Sequence, residues 1–353
     1  MTNDATHPLI FDGHNDLVLR LLTGKVTAAQ VAEGLEDGHI DLPRSRAGGF
    51  AGGFFAIFVP SPADNSLAKD AMRAAEYDLP LPAMLDQQMA LTETLKGFDH
   101  FDALEAAGVI KTCTTVAELE AALPGDAMAC VRHIEGAEAI GPDMEALHQL
   151  YARGLRSLGP VWSRPTIFAE GVPFRYPSSP DIGGGLTEAG KALVKECNTL
   201  GIMLDLSHMN EKGFDDVAAL SDAPLVATHS NAWAICPHAR NLTDRQLSVI
   251  AESDGMVGIN FASGFLRPDG QMDGDFSLDV MMQHLDHLIK MLGEDRVGMG
   301  SDFDGATIPE GIKDIAGLPA LRDAMRSHGV DAALMDKLCY GNWMRVLRKT
   351  WGA

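Results

Sequence analysis

The amino-acid sequence predicts an α/β fold, a (β/α)8 TIM-type barrel, on three observations. Eight apolar segments with strand-type residues recur along the chain, and each of them ends in polar residues. Helical patterns separate these segments, and a regular alternation of strands and helices implies a parallel sheet. Eight such units imply that the sheet closes into a barrel, whose polar strand ends would form one ring. An open, doubly wound sheet is the alternative fold, but it would spread the polar residues along a crevice.

The predicted strands each combine an apolar run with a polar end. They span residues 9–16, 53–60, 128–136, 155–162, 201–208, 225–230, 255–261 and 297–305. Among the segments between them, residues 187–200 and 278–292 place their apolar side chains at helical spacing. Residues 331–351 predict an amphipathic helix that closes the chain. Its buried side would consist of Leu334, Leu338, Met344 and Leu347.

We expect residues 1–353 to form a single barrel domain with two insertions. A chain of 353 residues exceeds the usual size of one compact domain, but barrels of this kind often reach this length. The insertions cover about residues 24–50 and 163–185, and long loops within compact domains are usually functional or disordered. Three aromatic residues in the second insertion favour a packed lid over the barrel mouth. They are Phe168, Phe174 and Tyr176.

Composition limits the classes of partner. The formal net charge is -21, and nucleic acid or an anionic membrane would repel such an acidic surface. A small molecule is therefore the expected partner. The five cysteines are an odd number without C-x-x-C spacing, so they indicate neither a disulfide framework nor a thiolate zinc site. A reducing compartment fits them best.

The chain start and the hydropathy pattern predict a soluble cytoplasmic protein. Residues 1–7 are polar and acidic, whereas a secretory signal needs basic residues followed by an apolar run. No segment reaches the roughly 18 consecutive apolar residues that a membrane span requires.

The first predicted strand ends in a pair of candidate metal ligands. Successive side chains of a strand alternate between its faces, so His14 and Asp16 point the same way. Together they offer a metal ion an imidazole and a carboxylate. In a barrel, residues at the carboxyl end of a strand lie where the chemistry takes place. The alternative is a turn in which Asp12, Asn15 and Asp16 only bond to nearby amides.

Four later strands end in residues that could complete a metal site with this pair. They are Glu135, His208, His229 and Asp302. Any one of them alone is more often a polar residue with hydrogen-bond partners inside the protein than a metal ligand. Their shared position at strand ends makes chance a poor explanation for all four. Three imidazoles and three carboxylates form a nitrogen and oxygen set that suits zinc better than manganese or iron. A bridging carboxylate would hold two divalent ions roughly 3.5–4 Å apart, as in binuclear hydrolases.

Five motifs follow one another from the first predicted strand to the last. They are Asp12-Gly13-His14-Asn15-Asp16, Ile134-Glu135-Gly136, Asp205-Leu206-Ser207-His208, Thr228-His229-Ser230 with Arg240-Asn241, and Gly300-Ser301-Asp302-Phe303-Asp304-Gly305. In these motifs and in their order, the sequence resembles the renal (membrane) dipeptidase family of the amidohydrolase-type barrels, which are binuclear zinc peptidases.

The resemblance implies two zinc ions and a reaction. It implies that His14 and Asp16 bind one ion and that His208 and His229 bind the second. Glu135 would bridge the two ions, which makes it a catalytic residue as well as a ligand. Other divalent metals are compatible with the same ligands. The expected reaction is hydrolysis of dipeptides, with a D-residue on the C-terminal side as one option, by attack of a metal-bridging hydroxide.

The resemblance also implies residues that handle the substrate. Asp302 would take the proton of the attacking water and pass it to the leaving amine. Arg240, with Asn241 next to it, would bind the terminal carboxylate of the dipeptide. The family commonly has a His after the fourth strand that polarises the scissile carbonyl, but Trp162 stands at that place in the substrate site here. An indole N–H donates a hydrogen bond but cannot become cationic, so the oxyanion would depend on the metal alone.

Two alternatives remain open beside the dipeptidase. One is an amidohydrolase that acts on another small carboxylated amide. The other is a metal-dependent binding protein that lost catalysis with the missing His, although the presence of Asp302 argues against it. A homodimer also remains open.

Overall fold

The computed structural model of the protein describes residues 8–61 and 70–352. The strands are β1 (Ile10–Asn15), β2 (Phe50–Phe58), β3 (Tyr77–Leu79), β4 (Ile110–Thr112), β5 (Met128–Glu135), β6 (Leu155–Gly159), β7 (Phe174–Tyr176), β8 (Met203–Leu204), β9 (Val226–Ala227), β10 (Met256–Asn260) and β11 (Val297–Gly300). The helices are α1 (Leu17–Leu22), α2 (Ala28–Glu33), α3 (Leu42–Gly48), α4 (Gln87–Ala106), α5 (Val116–Ala122), α6 (Glu145–Ala152), α7 (Glu188–Leu200), α8 (Glu211–Leu220), α9 (Asp244–Glu252), α10 (Ser263–Leu266), α11 (Asp279–Leu292), α12 (Leu318–Ser327), α13 (Ala332–Asp336) and α14 (Asn342–Trp351).

Eight parallel strands form a barrel, as the sequence predicts. Their order around the barrel is β1, β2, β5, β6, β8, β9, β10 and β11. Between β8 and β9 the closure depends on an isolated bridge, at which Leu206 N donates to Val226 O at 2.8 Å. β4 is an additional strand that pairs with the first half of β5. The carboxyl ends of the eight barrel strands therefore form one ring, where the candidate site residues lie.

All eight predicted strands are present, but the fifth and sixth shrink to the two-residue strands β8 and β9. The polar side chains that follow these strands bond to the backbone and turn the chain away from the sheet. Asp205 Oδ1 accepts hydrogen bonds from the amides of Ser207 and Thr228, at 3.0 and 2.8 Å. His208 then has a φ of 67°, which no strand includes. The predicted ends of these two strands were wrong because the Asp205 side chain, instead of a neighbouring strand, accepts the backbone hydrogen bonds there.

The helices bury one face each against the barrel. α7 begins after Thr187, whose Oγ1 accepts a hydrogen bond from Gly190 N at 3.1 Å. The buried face of this helix includes Leu193 and Val194. α11 likewise buries methionine and leucine side chains. Both helices match the predicted segments to within one residue.

The last helix, α14, fills part of the barrel interior. Trp343 is fully buried, and its ring centroid lies 5.2 Å from that of Phe54 on β2. Its Nε1 donates to Met299 O on β11 at 3.0 Å. Gly13 leaves the space for this indole, because a Cβ at that position would lie 2.5 Å from Trp343 Cζ2. The predicted closing helix is confirmed, with a π-helical segment, Lys337–Gly341, between α13 and α14.

A small second sheet joins the segment after β2 to the segment after β6. β3 and β7 form an antiparallel pair in which Leu79 is opposite Phe174. The hydroxyls of Tyr77 and Tyr176 each donate a 2.6 Å hydrogen bond to a backbone carbonyl within residues 268–270. The small sheet is therefore held against a third loop.

Other predictions concern the organisation of the chain. Within residues 8–61 and 70–352, none of the helices has the length and apolar character needed to cross a membrane. The prediction of a chain start without a secretory signal falls on residues 1–7, which lie outside the described residues. The first predicted insertion contains α2 and α3. The single domain with both insertions over the barrel mouth stays a prediction.

Replacing Trp343 by alanine should strongly destabilise the fold. The change removes a fully buried indole and leaves a cavity, and such changes cost about 3–5 kcal/mol of the free energy of unfolding. Urea denaturation followed by circular dichroism measures the loss. Trp351→Ala is the matched control, because that indole lies on the same helix and is only partly buried, so its loss should be clearly smaller. Equal losses in the two variants would contradict the role given to Trp343.

Candidate active site

In the described ranges of the chain, three groups of possible metal ligands lie at the carboxyl ends of the barrel strands, and two of them share Glu135. His14, Asp16 and Glu135 form the first group. Glu135, His208 and His229 form the second. Within each group, one ligand atom per residue lies within 4.8 Å of the others, and all these residues are buried. The remaining group is His14, Asp205 and His229, but the Asp205 carboxylate already accepts hydrogen bonds from Ser207 and Thr228. Glu135 belongs to both the first and the second group, which is the position that the resemblance implies for a bridging carboxylate.

The carboxylate of Glu135 faces three imidazoles. Its Oε1 lies 3.0 Å from His208 Nε2, 3.4 Å from His229 Nε2 and 3.6 Å from His14 Nε2. Asp16 Oδ2 lies 3.5 Å from the same nitrogen of His14. The strands that carry these residues run parallel, so their carboxyl ends bring the side chains together.

Hydroxyl groups fix the orientation of the two histidines in the second group. The Ser163 hydroxyl pairs with His208 Nδ1 at 2.8 Å, and the Thr228 hydroxyl pairs with His229 Nδ1 at 2.8 Å. Thr228 donates its own proton to Asp205 at 2.5 Å, so its oxygen accepts from His229 Nδ1–H. The Nε2 atoms of the two histidines then lie 3.2 Å apart. Outer partners of this kind commonly orient imidazoles that bind metal ions.

The electrostatics of the site favour a bound cation. Burial holds the pKa of His208 and of His229 well below the ordinary value, so both imidazoles are neutral, as metal ligands must be. Burial also acts to lower the pKa of His14, but the carboxylates of Glu135 and Asp16 outweigh it and raise this pKa to about 10. The negative groups around His14 therefore attract positive charge to its ring.

These residues fit a metal ion. In the part of the chain that the structure describes, neither ring nitrogen of His14 has a hydrogen-bond partner, although both are buried. The Nε2 atoms of His208 and His229 face each other at 3.2 Å, and both also face the Glu135 carboxylate. Buried polar atoms without partners are rare in proteins, and a cation would satisfy these together. Imidazole nitrogens and carboxylate oxygens form a ligand set that binds divalent metal ions.

Asp302 lies beside the first ligand group in a left-handed backbone conformation. Its φ is 60°, and its amide donates to His14 O at 3.0 Å. Its Oδ2 accepts from Asn260 Nδ2 at 3.0 Å, whereas a Cβ at Gly305 would lie 2.4 Å from its Oδ1. Burial, followed by the negative charge of Asp16, raises the pKa of Asp302. A carboxyl group with a raised pKa beside the ligands is suited to carry a proton.

Arg240 lies close to the second ligand group without a carboxylate partner. The residue is 3% exposed, and its Nη2 donates to His229 O at 3.2 Å. Its guanidinium carbon lies 5.3 Å from the centroid of the Phe265 ring. Among the described residues it forms no ion pair, and its Nε has no hydrogen-bond partner. Burial lowers its pKa to about 10, so it stays cationic at neutral pH and could bind a substrate carboxylate.

The other two predicted substrate residues differ in their surroundings. Asn241 Nδ2 donates to the backbone carbonyls of Cys236 and Phe265, each at 2.9 Å, so this amide holds its own loop in shape. Trp162 is half-buried, and its ring centroid lies 5.9 Å from that of His208. Contact of either residue with a substrate stays a prediction.

Four residues that support the site were not among the predicted ones. They are Ser163, Asp205, Thr228 and Asn260. Asn260 is the polar last residue of β10, so its position at a strand end was an available signal. Asp205 and Thr228 each lie within one of the five motifs. Ser163 gave no signal, because the histidine that it contacts lies 45 residues further along the chain.

A cavity of about 240 Å³ opens onto the two ligand groups. Five predicted site residues line it, and most of its remaining wall is apolar. Those five are Asp16, Glu135, Trp162, His208 and Asp302. The possible metal ligands and the possible proton carrier therefore share one space with an apolar surface.

The chain is similar to known proteins over most of its length. The family model of membrane dipeptidases, peptidase family M19, matches residues 5–351. An uncharacterised protein from the pqqA 5′ region of Klebsiella pneumoniae is 45% identical over 268 residues. This similarity covers 76% of the present chain and 96% of the Klebsiella protein.

Solved structures extend the comparison. A metallopeptidase from Rhodobacter sphaeroides, liganded with a phosphinate mimic of the dipeptide L-Ala-D-Ala, is 57% identical and has a TM-score of 0.95. The match covers 97% of the present chain and 99% of that chain. The probable dipeptidase PvdM from Pseudomonas aeruginosa is 22% identical, with a TM-score of 0.80 over 97% of the present chain and 95% of its own. At that identity the likeness shows the fold alone.

Metal analysis tests the role of Glu135. Protein loaded with zinc should contain nearly two ions per chain, and Glu135→Gln should lose metal at both sites, because both ligand groups share this residue. Mass spectrometry of the purified, desalted protein measures the ions. Asp302→Asn is the control, since it lies outside both groups and should keep its metal. A wild-type protein that is fully active with one ion and does not respond to a second would contradict the shared-ligand arrangement.

Proposed function

Since the chain belongs to the membrane dipeptidase family, peptidase family M19, we propose that this metal-dependent dipeptidase hydrolyses dipeptides with a D-residue on the C-terminal side. The observation that carries the proposal is an unpaired guanidinium, that of Arg240, beside two ligand groups that share Glu135. The mimic of L-Ala-D-Ala on the Rhodobacter sphaeroides metallopeptidase supports the D configuration.

The proposal includes two zinc ions. His14, Asp16 and Glu135 would hold one of them. Glu135, His208 and His229 would hold the other. When bound, the ions supply an activated water molecule and polarise the peptide carbonyl. Nitrogen and oxygen ligands support zinc, although other divalent ions bind similar sets.

Asp302 is proposed as the residue that moves the proton. Its Oδ2 is occupied by the Asn260 amide, so Oδ1, which faces the space left by Gly305, is the oxygen that takes the proton of the attacking water. Burial and the negative charge of Asp16 raise the pKa of this carboxyl group, which helps it to accept the proton. The proton then passes to the nitrogen of the leaving amine, which would otherwise depart as an unstable anion.

Arg240 is proposed to bind the terminal carboxylate of the substrate. A guanidinium can donate two parallel hydrogen bonds to a carboxylate, and the buried Nε of Arg240 has no hydrogen-bond partner among the residues that the structure describes. The bond from its Nη2 to the carbonyl of His229 fixes the guanidinium close to a possible metal ligand. This position, next to the backbone of a possible metal ligand, supports a short segment between the scissile bond and the free carboxylate, as in a dipeptide.

Trp162 is proposed to contact the substrate as part of the cavity wall. Its ring centroid lies 4.7 Å from that of Phe58 and 5.5 Å from that of Phe174, and all three side chains line the cavity. The indole thus belongs to an aromatic surface at the place where the family commonly has a histidine. Stabilisation of the oxyanion is accordingly assigned to the metal ions.

Three further proposals concern the whole protein. We infer a cytoplasmic location, which its five buried and unpaired cysteines support. The second insertion is proposed to cover the barrel mouth, since its residue Phe174 lines the cavity. A homodimer remains a prediction.

Turnover of Asp302→Asn separates chemistry from stability. The substitution should reduce kcat for L-Ala-D-Ala by about 10²–10⁴-fold, the usual contribution of general acid and base catalysis, while the metal content stays unchanged. Steady-state kinetics and metal analysis of the same sample measure both. If Asp302 only stabilises the end of β11, the variant will instead lose stability and keep its turnover per folded molecule.

Arg240→Ala tests the carboxylate site. A hydrogen bond to a charged group is worth roughly 1.5–3 kcal/mol, so kcat/KM for free dipeptides should fall by about 10–150-fold. The same dipeptides amidated at the C-terminus should be poor substrates of the wild-type enzyme and scarcely affected by the substitution. Arg245→Ala is the control, because this arginine pairs with Glu211 and Asp215 on the surface.

Two results would redirect the assignment of function. Equal cleavage of free and amidated dipeptides by the wild-type enzyme would contradict the carboxylate site and favour a general amidohydrolase. Tight binding of dipeptides without any turnover by the metal-loaded protein would favour a binding protein.

A further inference from the structure

We propose that the enzyme selects dipeptides whose C-terminal residue has an apolar side chain, and that an apolar pocket beside Arg240 makes the selection. The inference rests on the proposed function, because it places the substrate carboxylate on Arg240. Six residues define the apolar pocket, and each of them both lines the cavity and belongs to one hydrophobic cluster separate from the barrel core. They are Met72, Leu79, Phe174, Phe265, Met272 and Ala306.

The wall of the apolar pocket contacts both Arg240 and a possible metal ligand. The Phe265 ring lies 5.3 Å from the guanidinium carbon of Arg240. The Phe174 ring stacks on Phe265 with centroids 6.0 Å apart, and it also lies 6.2 Å from the ring of His208. In a dipeptide, the only α-carbon between the scissile bond and the free carboxylate is that of the C-terminal residue. The side chain of this residue therefore faces the apolar pocket.

The charges along the cavity oppose a charged side chain in this position. Among the described residues, the lining contains the carboxylates of Asp16, Glu135 and Asp302 but no lysine or arginine. An acidic side chain would lose its hydration without gaining a lysine or arginine partner in the cavity lining. A basic side chain would compete with the metal ions for the same carboxylates. An apolar side chain instead removes apolar surface from water.

Hydrogen bonds hold the apolar pocket in one shape. Two of its residues lie on β3 and β7, which pair with each other. The hydroxyls of Tyr77 and Tyr176 join this pair to residues 268–270, and Met272 N donates to Met72 O at 2.9 Å. Three segments that are distant in sequence thus form one wall before a substrate binds. Because this wall is already ordered, binding of a substrate does not include a free-energy cost for ordering its side chains and loops.

Kinetics with matched dipeptides test the selection. The metal-loaded wild-type enzyme is assayed with L-Ala-D-Leu, L-Ala-D-Asp and L-Ala-D-Lys and with the three L,L isomers, so that the result does not depend on configuration. Contacts in apolar pockets change kcat/KM by about 10–200-fold, so the leucine dipeptide should exceed the aspartate and lysine dipeptides by at least about tenfold.

A charge placed in the wall gives the second measurement. Leu79→Lys adds an ammonium group beside the C-terminal residue and should reduce the preference for leucine over aspartate by at least about tenfold. Asp78→Asn is the matched control, because it makes the net charge more positive by the same amount on the opposite face of β3, where Asp78 pairs with Arg175. Circular dichroism verifies the fold of each variant, and Met272→Lys replaces Leu79→Lys if the latter does not fold.

The possible outcomes test the apolar pocket and the proposed dipeptidase function separately. Equal cleavage of leucine and aspartate dipeptides by the wild-type enzyme overturns the apolar pocket and leaves the dipeptidase intact. A folded lysine variant with the wild-type preference overturns the apolar pocket as well. If the wild-type enzyme cleaves none of the free dipeptides, the proposed function fails, and the apolar pocket fails with it.

Discussion

The carboxylate of Glu135, held among three imidazoles, is the interaction on which the site depends. Burial raises the pKa of this carboxyl group well above its ordinary value, even though His14 acts in the opposite direction. A buried carboxylate is costly without a positive partner, and a divalent metal ion would interact with this carboxylate and with the imidazoles beside it. The barrel brings these groups together by letting parallel strands end at one ring. Binding of metal ions would offset the free-energy cost of burying these polar groups close together.

The same constraint explains several locally unfavourable features around the ring. His208 and Asp302 have positive φ angles, which residues other than glycine rarely adopt. Gly305 must lack a side chain, because a Cβ there would lie 2.2 Å from Asp16 Oδ2. β8 has only two residues, and the Asp205 side chain that follows it accepts a hydrogen bond from the amide of Thr228, next to the ligand His229. Such strain persists because the packed barrel below leaves these loops few other arrangements.

The barrel could be predicted because apolar runs and helical spacing are properties of local sequence. β3 and β7 could not, since each has three residues and forms only by pairing with a segment about a hundred residues away. The site residues also divide into those that local sequence identifies and those that only the tertiary structure identifies. His14 and Glu135 could be identified from their strand-end positions, whereas the contact of Ser163 with a distant histidine and the lack of an ion pair at Arg240 depend on tertiary structure. In an acidic chain, sequence alone would give that arginine many carboxylate partners.

The indole of Trp343 packs against Gly13, so α14 contacts β1 although the two elements are far apart in sequence. This contact affects the order in which the parts of the barrel come together. A ribosome completes β1, with His14 at its end, long before it reaches α14. Until α14 emerges, the barrel interior lacks its aromatic filling, and β1 lacks its neighbour β11 for most of that time. The surroundings of the ligands on β1 are therefore complete only after β11 and α14 have joined the barrel.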